Sequence, residues 1–162
     1  LELVKEPIRV LFVCLGNICR SPTAHAIFEK KIIDEGLQHK IIVDSAGTGD
    51  WHIGRAPDPR ACEAAFQHGY DLTQLRARQV KPEDFSEFDY VLAMDKQNLL
   101  DLKVMTPPQF VGHLGLFLDH SRSEKKEVPD PYTGGKEGFE EVLDLIEDAS
   151  NGLFEHLSGQ LA

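Results

Sequence analysis

The chain has 162 residues, with 17 Lys and Arg against 27 Asp and Glu, for a net charge of -10. This acidic balance excludes nucleic acid and anionic membrane surfaces as main partners, because binding either of them needs a basic surface. The length fits one domain with a full hydrophobic core, which we expect over residues 1–162.

The first half of the chain alternates between short apolar runs and helical signals. Residues 8–13 are apolar, β-branched and nearly continuous, which predicts a strand buried on both faces. Ser21 and Pro22 then signal the start of a helix. Residues 40–44 predict a second strand, and Pro59 begins a second helix. The apolar side of that second helix is predicted to contain Ala61, Cys62, Ala65 and Phe66.

The second half continues the alternation. Residues 88–94 predict a third strand, with a helix near 97–103 and a fourth strand near 114–118. An apolar stripe predicts a last helix from about residue 136 to about residue 157. The expected fold is therefore α/β: a single-domain three-layer sandwich with a four-stranded parallel sheet and a flavodoxin-like, doubly wound topology. Ligands of such sheets bind beyond the carboxyl ends of the strands.

The loop after the first strand is where we expect a phosphate-binding site. It joins a buried strand to a helix N-terminus, where backbone N–H groups and the helix dipole attract an anion. The planar guanidinium of Arg20 can hold two oxygens of a phosphoryl group, and a Cys14 thiolate below it would face phosphorus as a nucleophile. Gly16 and Asn17 tolerate the left-handed backbone of a tight loop. The candidate phosphate-binding residues are Leu15, Gly16, Asn17, Ile18, Cys19, Arg20 and Ser21.

The spacing from Cys14 to Arg20 is C-x5-R, and the nine residues from Cys14 to Pro22 resemble the signature of the low-molecular-weight protein tyrosine phosphatases. The bare C-x5-R pattern is weak, whereas the nine-residue form directly after a strand is specific. Further segments follow in the order of that family, namely residues 44–48, Trp51, residues 54–60, residues 77–79, Met94, Asp95 and residues 130–132.

The resemblance implies a protein-tyrosine phosphatase, of the acid phosphatase type, with Asp130 as general acid and base. Cys14 would attack phosphorus while Asp130 protonates the leaving oxygen, giving a cysteinyl-phosphate that water then hydrolyses. Asp130 must still hold its proton while Cys14 is a thiolate, so we expect a rate optimum on the acid side of neutral. We expect no cofactor and no metal; the partners implied are phosphotyrosine-containing proteins and inorganic phosphate.

The resemblance also assigns supporting roles around the loop. Asn17 is expected to pin the loop by hydrogen bonds, with Ser45 at the end of the second strand as its partner. The Ser21 hydroxyl is expected to hydrogen-bond the Cys14 sulfur and to make it a better leaving group. The family often has His where Leu75 stands in this chain.

Other candidate residues keep two interpretations each. Trp51 and Tyr132 match the aromatic walls of the family's pocket, although Trp51 could equally be a surface or packing residue. Cys19 is either a redox partner that forms a disulfide with Cys14 or a structural thiol. Asp95 resembles a family position near the site, and a helix N-cap explains it equally well.

Three alternative functions remain open on the same residues. An arsenate reductase shares this fold and loop but needs a relay of further cysteines, and only Cys62 lies beyond the loop. The protein-arginine phosphatases of the same family have a similar loop, with Thr at the position where this chain has Ile18. A non-catalytic binder of phosphate or phosphopeptides would keep Arg20 but could dispense with Cys14 and Asp130.

Cysteine content and hydropathy bear on location and assembly. No apolar run approaches the roughly 20 residues that cross a bilayer, so we expect no membrane span. The first residues lack the features of a signal peptide, and the three cysteines cannot all pair. We therefore expect a cytoplasmic monomer, with weak self-association through aromatic residues at the pocket rim as the alternative.

Overall fold

The structure, a computed structural model, describes residues 7–131 and 135–161. Its centre is a parallel sheet of four strands in the order β2-β1-β3-β4, which confirms the expected α/β fold. The apolar runs form these strands because their side chains are buried by helices on both faces of the sheet. The strands are β1 (Ile8–Cys14), β2 (Ile41–Gly47), β3 (Tyr90–Ala93) and β4 (His113–Leu116).

Helices connect the strands, and two of these helices begin at side-chain caps. Asp58 accepts a hydrogen bond from the backbone N–H of Arg60 (2.8 Å) at the start of α2, where Pro59 occupies the first turn. Asp95 accepts from the backbone N–H of Asn98 (2.7 Å) and caps α4 in the same way. The helices are α1 (Arg20–Asp34), α2 (Pro59–Gln67), α3 (Asp84–Glu87), α4 (Lys96–Met105), the 3-10 helix Phe117–His120 and α5 (Lys136–Gln160).

Strand β1 holds the three layers together. Val10 and Phe12 are fully buried in a cluster shared with α1, α2 and α5, whereas Leu11 and Val13 are fully buried in a second cluster shared with α3 and α4. Burial of each such side chain contributes roughly 1.5–3 kcal/mol. The strand is therefore anchored from both faces, and its carboxyl end at Cys14 is held rigidly.

The topology creates a crevice beside that end. The β1-α1-β2 unit extends to one side of β1, and the β3-α4-β4 unit extends to the other side. Their directions diverge between β1 and β3, which is the switch point where doubly wound sheets bind ligands. The loop after β1 and Asp95 after β3 both lie at this point.

Several details differ from the expectations. Strand β2 continues to Gly47, because residues 45–47 still pair with the end of β1. The short helix α3 carried no clear sequence signal. Phe66 is 76% exposed, since the alanines at 61, 64 and 65 form the buried side of α2 and Phe66 lies outside it.

None of the helices within the described ranges is long and apolar enough to cross a membrane.

Candidate active site

Cys14 is the last residue of β1, and its sulfur makes two polar contacts with the residues that follow it. The backbone N–H of Asn17 donates to Sγ at 3.3 Å, and Oγ of Ser21 lies 3.0 Å from Sγ. Asn17 adopts a left-handed backbone, with φ of 57°, which turns the loop sharply enough to aim its N–H at the sulfur. Both contacts hold the sulfur in place at the start of the loop.

The side chain of Asn17 connects the loop to two other segments. Its Nδ2 donates to Oγ of Ser21 at 2.7 Å, and its Oδ1 accepts from the backbone N–H of Arg78 at 3.0 Å. The prediction that Ser45 is the partner of Asn17 is wrong. The Ser45 hydroxyl points toward helix α1, where it lies 3.1 Å from Nδ1 of His25. Asn17 thus positions Ser21, and Ser21 contacts the Cys14 sulfur, as expected for that pair.

Arg20 begins helix α1 and is almost fully buried, with 3% of its surface exposed. Its Nη1 donates to Oδ2 of Asp95 at 2.7 Å and to the carbonyl of Val128 at 3.0 Å, while Nη2 lies 3.8 Å from Oδ2 of Asp130. Burial works against the charge, but the negative charges of Cys14, Asp95 and Asp130 outweigh it and raise the pKa of Arg20. Arg20 therefore remains a cation beside the sulfur.

Asp95 combines the two interpretations that the sequence left open. One carboxylate oxygen caps α4, and the other accepts the hydrogen bond from Arg20. Since a single carboxylate performs both tasks, it ties the orientation of Arg20 to the start of the helix that follows β3.

Arg78 supports the loop, although no pattern in the sequence indicates this role. Its guanidinium lies between Asp44, with Nε to Oδ2 at 3.1 Å, and the fully buried Asp84, with Nη1 to Oδ2 at 3.0 Å. These ion pairs hold the backbone whose N–H meets Asn17. Residues 77–79 are part of the family resemblance, but the sequence does not indicate what they contact.

A cavity of about 250 Å³ opens above the loop. Cys14 and Arg20 line its base, and Asp130 reaches it from the segment that follows Val128. A candidate nucleophile, a cation and a carboxylate therefore line the same cavity. Its full lining is Cys14, Leu15, Gly16, Ile18, Cys19, Arg20, Trp51, His52 and Asp130.

The rim of this cavity is exposed and aromatic. Trp51 is 66% exposed and packs over Gly49, where a Cβ would overlap the indole ring. His52 lies against Gly16, because a Cβ on Gly16 would come within 2.9 Å of Cδ2 of His52. Its only sequence signal was the neighbouring Trp51. Tyr132, the second predicted wall, lies outside the described residues.

Cys19 lines the same cavity as a neutral thiol. Burial raises its pKa, and the negative charges of Asp58, Cys14 and Asp130 add to this effect. Cys14, Cys19 and Cys62 are all free cysteines. No cluster of three or more His, Cys, Asp or Glu residues within 7–131 and 135–161 could hold a metal ion.

Comparison with known proteins agrees with the geometry of this loop. The family model for low molecular weight phosphotyrosine protein phosphatases matches residues 9–162. The chain belongs to this family. A Streptomyces coelicolor low molecular weight protein-tyrosine-phosphatase is 44% identical over 149 residues, which cover 90% of each chain.

Solved structures of the family are similar along almost the whole chain. A protein tyrosine phosphatase from Entamoeba histolytica has a TM-score of 0.91 at 40% identity, covering 96% of this chain and 99% of its own. A Drosophila arginine phosphatase has a TM-score of 0.87 at 35% identity, covering 93% of this chain and 98% of its own. The buried Cys14 at the end of β1 fits the nucleophile of the phosphate-binding loop of low molecular weight phosphotyrosine protein phosphatases.

Proposed function

We propose that this chain hydrolyses phosphotyrosine in proteins, and small aryl phosphates, through a cysteinyl-phosphate intermediate. One observation carries the proposal: the Cys14 sulfur accepts a hydrogen bond from Asn17, contacts Ser21 and lines the base of a cavity beside Arg20 and Asp130. A thiolate, a phosphate clamp and a proton donor are the three groups that the reaction needs.

In the first step, the Cys14 thiolate attacks phosphorus and the bond from phosphorus to the aryl oxygen breaks. Asp130, protonated, transfers its proton to the leaving oxygen, so that neutral tyrosine departs. The guanidinium of Arg20 and the N–H groups of the loop hold the non-bridging oxygens, where negative charge is concentrated in the transition state. Asp95 and the carbonyl of Val128 keep Arg20 in place without reorganisation.

In the second step, water attacks phosphorus and Asp130, now a carboxylate, accepts its proton. The bond between phosphorus and sulfur breaks, inorganic phosphate is released and the Cys14 thiolate is restored. The Asn17 N–H and the Ser21 hydroxyl stabilise the departing thiolate. These hydrogen bonds make sulfur a better leaving group than an unsupported thiolate would be.

The lining of the cavity supports an aryl substrate. Leu15, Ile18 and Trp51 offer apolar walls between the charged base and solvent, and such walls suit a flat ring that carries phosphate at its far end. The relatives named as tyrosine phosphatases favour the same substrate class. All the residues needed come from one chain, so we propose a monomer that acts in the reducing cytoplasm, where a thiolate persists.

The test is turnover of phenyl and p-nitrophenyl phosphate in EDTA across pH 5 to 8. Cys14→Ser should abolish turnover while still binding inorganic phosphate, and Cys62→Ser, on helix α2 outside the cavity lining, is the matched control with full activity. Asp130→Asn should lower kcat about a hundred-fold on phenyl phosphate and less on p-nitrophenyl phosphate, whose leaving group needs no proton. The rate optimum should lie below neutral pH.

Competing substrates distinguish the alternatives. Phosphoarginine deserves direct comparison with phosphotyrosine because a Drosophila arginine phosphatase is 35% identical to this chain. A higher kcat/KM for phosphoarginine would overturn the substrate class and leave the role of Cys14 intact. Phosphate binding without any turnover would favour a non-catalytic binder, and arsenate reduction with a thiol donor would favour the reductase.

A further inference from the structure

Helix α1 carries a column of polar side chains that leads away from the Cys14 sulfur. Ser21, His25 and Glu29 are spaced by four residues, so they lie one above another on the same side of the helix. Ser21 contacts Cys14 at one end, and the half-exposed Glu29 reaches solvent at the other. His25 lies between them and is only 7% exposed. A buried imidazole that the chemistry does not use calls for an explanation.

Both ring nitrogens of His25 have partners. Nδ1 lies 3.1 Å from Oγ of Ser45 in strand β2, and Nε2 lies 3.6 Å from Oε2 of Glu29. The contact with His25 lowers the pKa of Glu29, although burial acts in the opposite direction. Glu29 therefore stays ionised. Its carboxylate faces Nε2 while Ser45 faces Nδ1, and these two contacts fix the orientation of the ring.

The contact with Ser45 is one of two that join β2 to α1 at successive positions. His25 meets Ser45, and one helical turn earlier the Ser21 hydroxyl lies 3.4 Å from the carbonyl of Ala46, the next residue of β2. Because β2 pairs with β1 along its whole length, the two contacts set the first turns of α1 against the strand that ends in Cys14. The distance from Ser21 to the sulfur depends on this alignment.

We propose that His25, oriented by Glu29, is a positioning residue that holds Ser21 against the Cys14 sulfur through Ser45. The inference rests on the proposed function, in which Ser21 assists the departure of the thiolate in the second step. His25 does not line the cavity, so substrate binding by the loop and Arg20 should not depend on it. Loss of the contact should therefore slow the second step, which lowers kcat and KM together and leaves kcat/KM and phosphate affinity unchanged.

The first experiment compares His25→Leu and His25→Gln with the wild type, using phenyl phosphate kinetics and inhibition by phosphate. Leucine fills the buried space but leaves the Ser45 hydroxyl without its partner. We expect kcat and KM to fall together by about ten-fold, with kcat/KM and the phosphate inhibition constant unchanged. Glutamine offers an amide at a similar reach and should restore most of kcat. Ser45→Ala should lower kcat by itself and add nothing to His25→Leu, because the two residues act through one contact.

Glu29→Gln tests the outer end of the column. It should lower kcat about two- to three-fold, since the ring loses its charged partner but keeps Ser45. Asp34→Asn is the matched control. It removes the ion pair between Asp34 and Lys30 (2.9 Å), which also lies on α1 but outside the column. It should leave kcat unchanged. Equal kinetics of folded His25→Leu and wild type, or an increase in KM that accounts for the whole loss, would overturn the proposal.

A second readout does not require turnover. Iodoacetamide alkylation of Cys14 at pH 6 reports the hydrogen bonds that stabilise its thiolate, and fragment ions resolve Cys14 from Cys19 in the same tryptic peptide. His25→Leu should slow this alkylation about three-fold. If the wild type lacks phosphatase activity, the proposed function fails, yet slower alkylation in His25→Leu still supports the positioning role. Unchanged alkylation together with unchanged kcat refutes that role alone.

Discussion

The base of the cavity and its rim are built in opposite ways. At the base, Asn17, Arg20 and Ser21 are buried, and Asn17 and Arg20 take partners that are 61 to 108 residues distant in the chain. At the rim, Trp51 is largely exposed and 48% of the Asp130 side chain is exposed. The base is buried and held by hydrogen bonds from distant segments, whereas the rim is largely exposed.

This difference separates two aspects of the proposed chemistry. A site whose donors are fixed by distant segments is preorganised for an anion before any ligand binds. A rim that is largely exposed can change without unfolding the protein. Changes at the base should therefore affect every phosphate monoester and the stability of the chain, and changes at the rim should depend on the organic group of the substrate.

The largest effect is expected at Asp95, which holds Arg20 at the base. Asp95→Asn keeps an oxygen to cap α4 but removes the negative charge that faces the buried Arg20. We expect kcat/KM to fall about 10- to 100-fold on both phenyl and alkyl phosphates. The unfolding free energy in urea should fall by about 3 kcal/mol, because a buried cation loses its ion pair. A loss confined to aryl substrates would contradict the separation of base and rim.

Asp95→Ala extends this test. It removes the cap as well as the charge, so its unfolding free energy should be lower than that of Asp95→Asn by about a further 1 kcal/mol. Its kcat/KM should resemble that of Asp95→Asn, since both variants leave Arg20 without the carboxylate. A much lower activity in the alanine variant would mean that the cap, rather than the ion pair, maintains the base.

The second prediction concerns Arg78, which supports Asn17 from outside the loop. Arg78→Ala leaves Asp84, 1% exposed, without its guanidinium partner, and we expect the unfolding free energy to fall by about 2–3 kcal/mol. Arg76→Ala is the matched control two residues earlier, because Arg76 is exposed and its hydrogen bonds within the described residues go to the nearby carbonyls of Thr73 and Leu75. Equal stability of the two variants would remove Arg78 from the framework of the base.

The parts of the base that could be predicted from sequence are those that are contiguous in the chain. Cys14, Arg20 and Ser21 flank the short loop that joins β1 to α1, so their proximity follows from local geometry. The sheet was predictable for a similar reason, since residues 8–13 and 88–94 are nearly continuous apolar runs, which are typical of strands buried on both faces.

The remaining contacts were not predictable because they join segments whose relative rotation a sequence does not encode. Ser45 was expected to meet Asn17, but its side chain faces the second turn of α1 and meets His25. Arg78 acts through its backbone N–H as well as its side chain, and a backbone contact leaves no residue-specific signal. His52 likewise carried no pattern that would distinguish a rim residue from a surface histidine.

The third prediction moves to the rim. Trp51→Ala removes an aromatic wall without touching the base, so kcat/KM on phenyl phosphate should fall about ten-fold. The value on an alkyl phosphate should stay within about two-fold of the wild type, because the alkyl group gains little from a flat wall. Trp51→Phe should retain most of the activity on the aryl substrate. Equal losses on both substrates would show that Trp51 acts on the phosphate group, as the residues of the base do. They would contradict the separation of base and rim.

The smallest effect is expected at Gly49, which lets the Trp51 ring lie flat. Gly49→Ala adds a Cβ that overlaps the indole and must displace it. Trp51 is the single tryptophan of the chain, so its fluorescence reports the displacement directly. We expect a shifted emission maximum and a KM for phenyl phosphate raised about two- to three-fold, with phosphate inhibition unchanged. Gly159→Ala is the control, because a Cβ there meets open space. If emission shifts while KM stays constant, the ring is a surface feature and the wall must be supplied elsewhere on the rim.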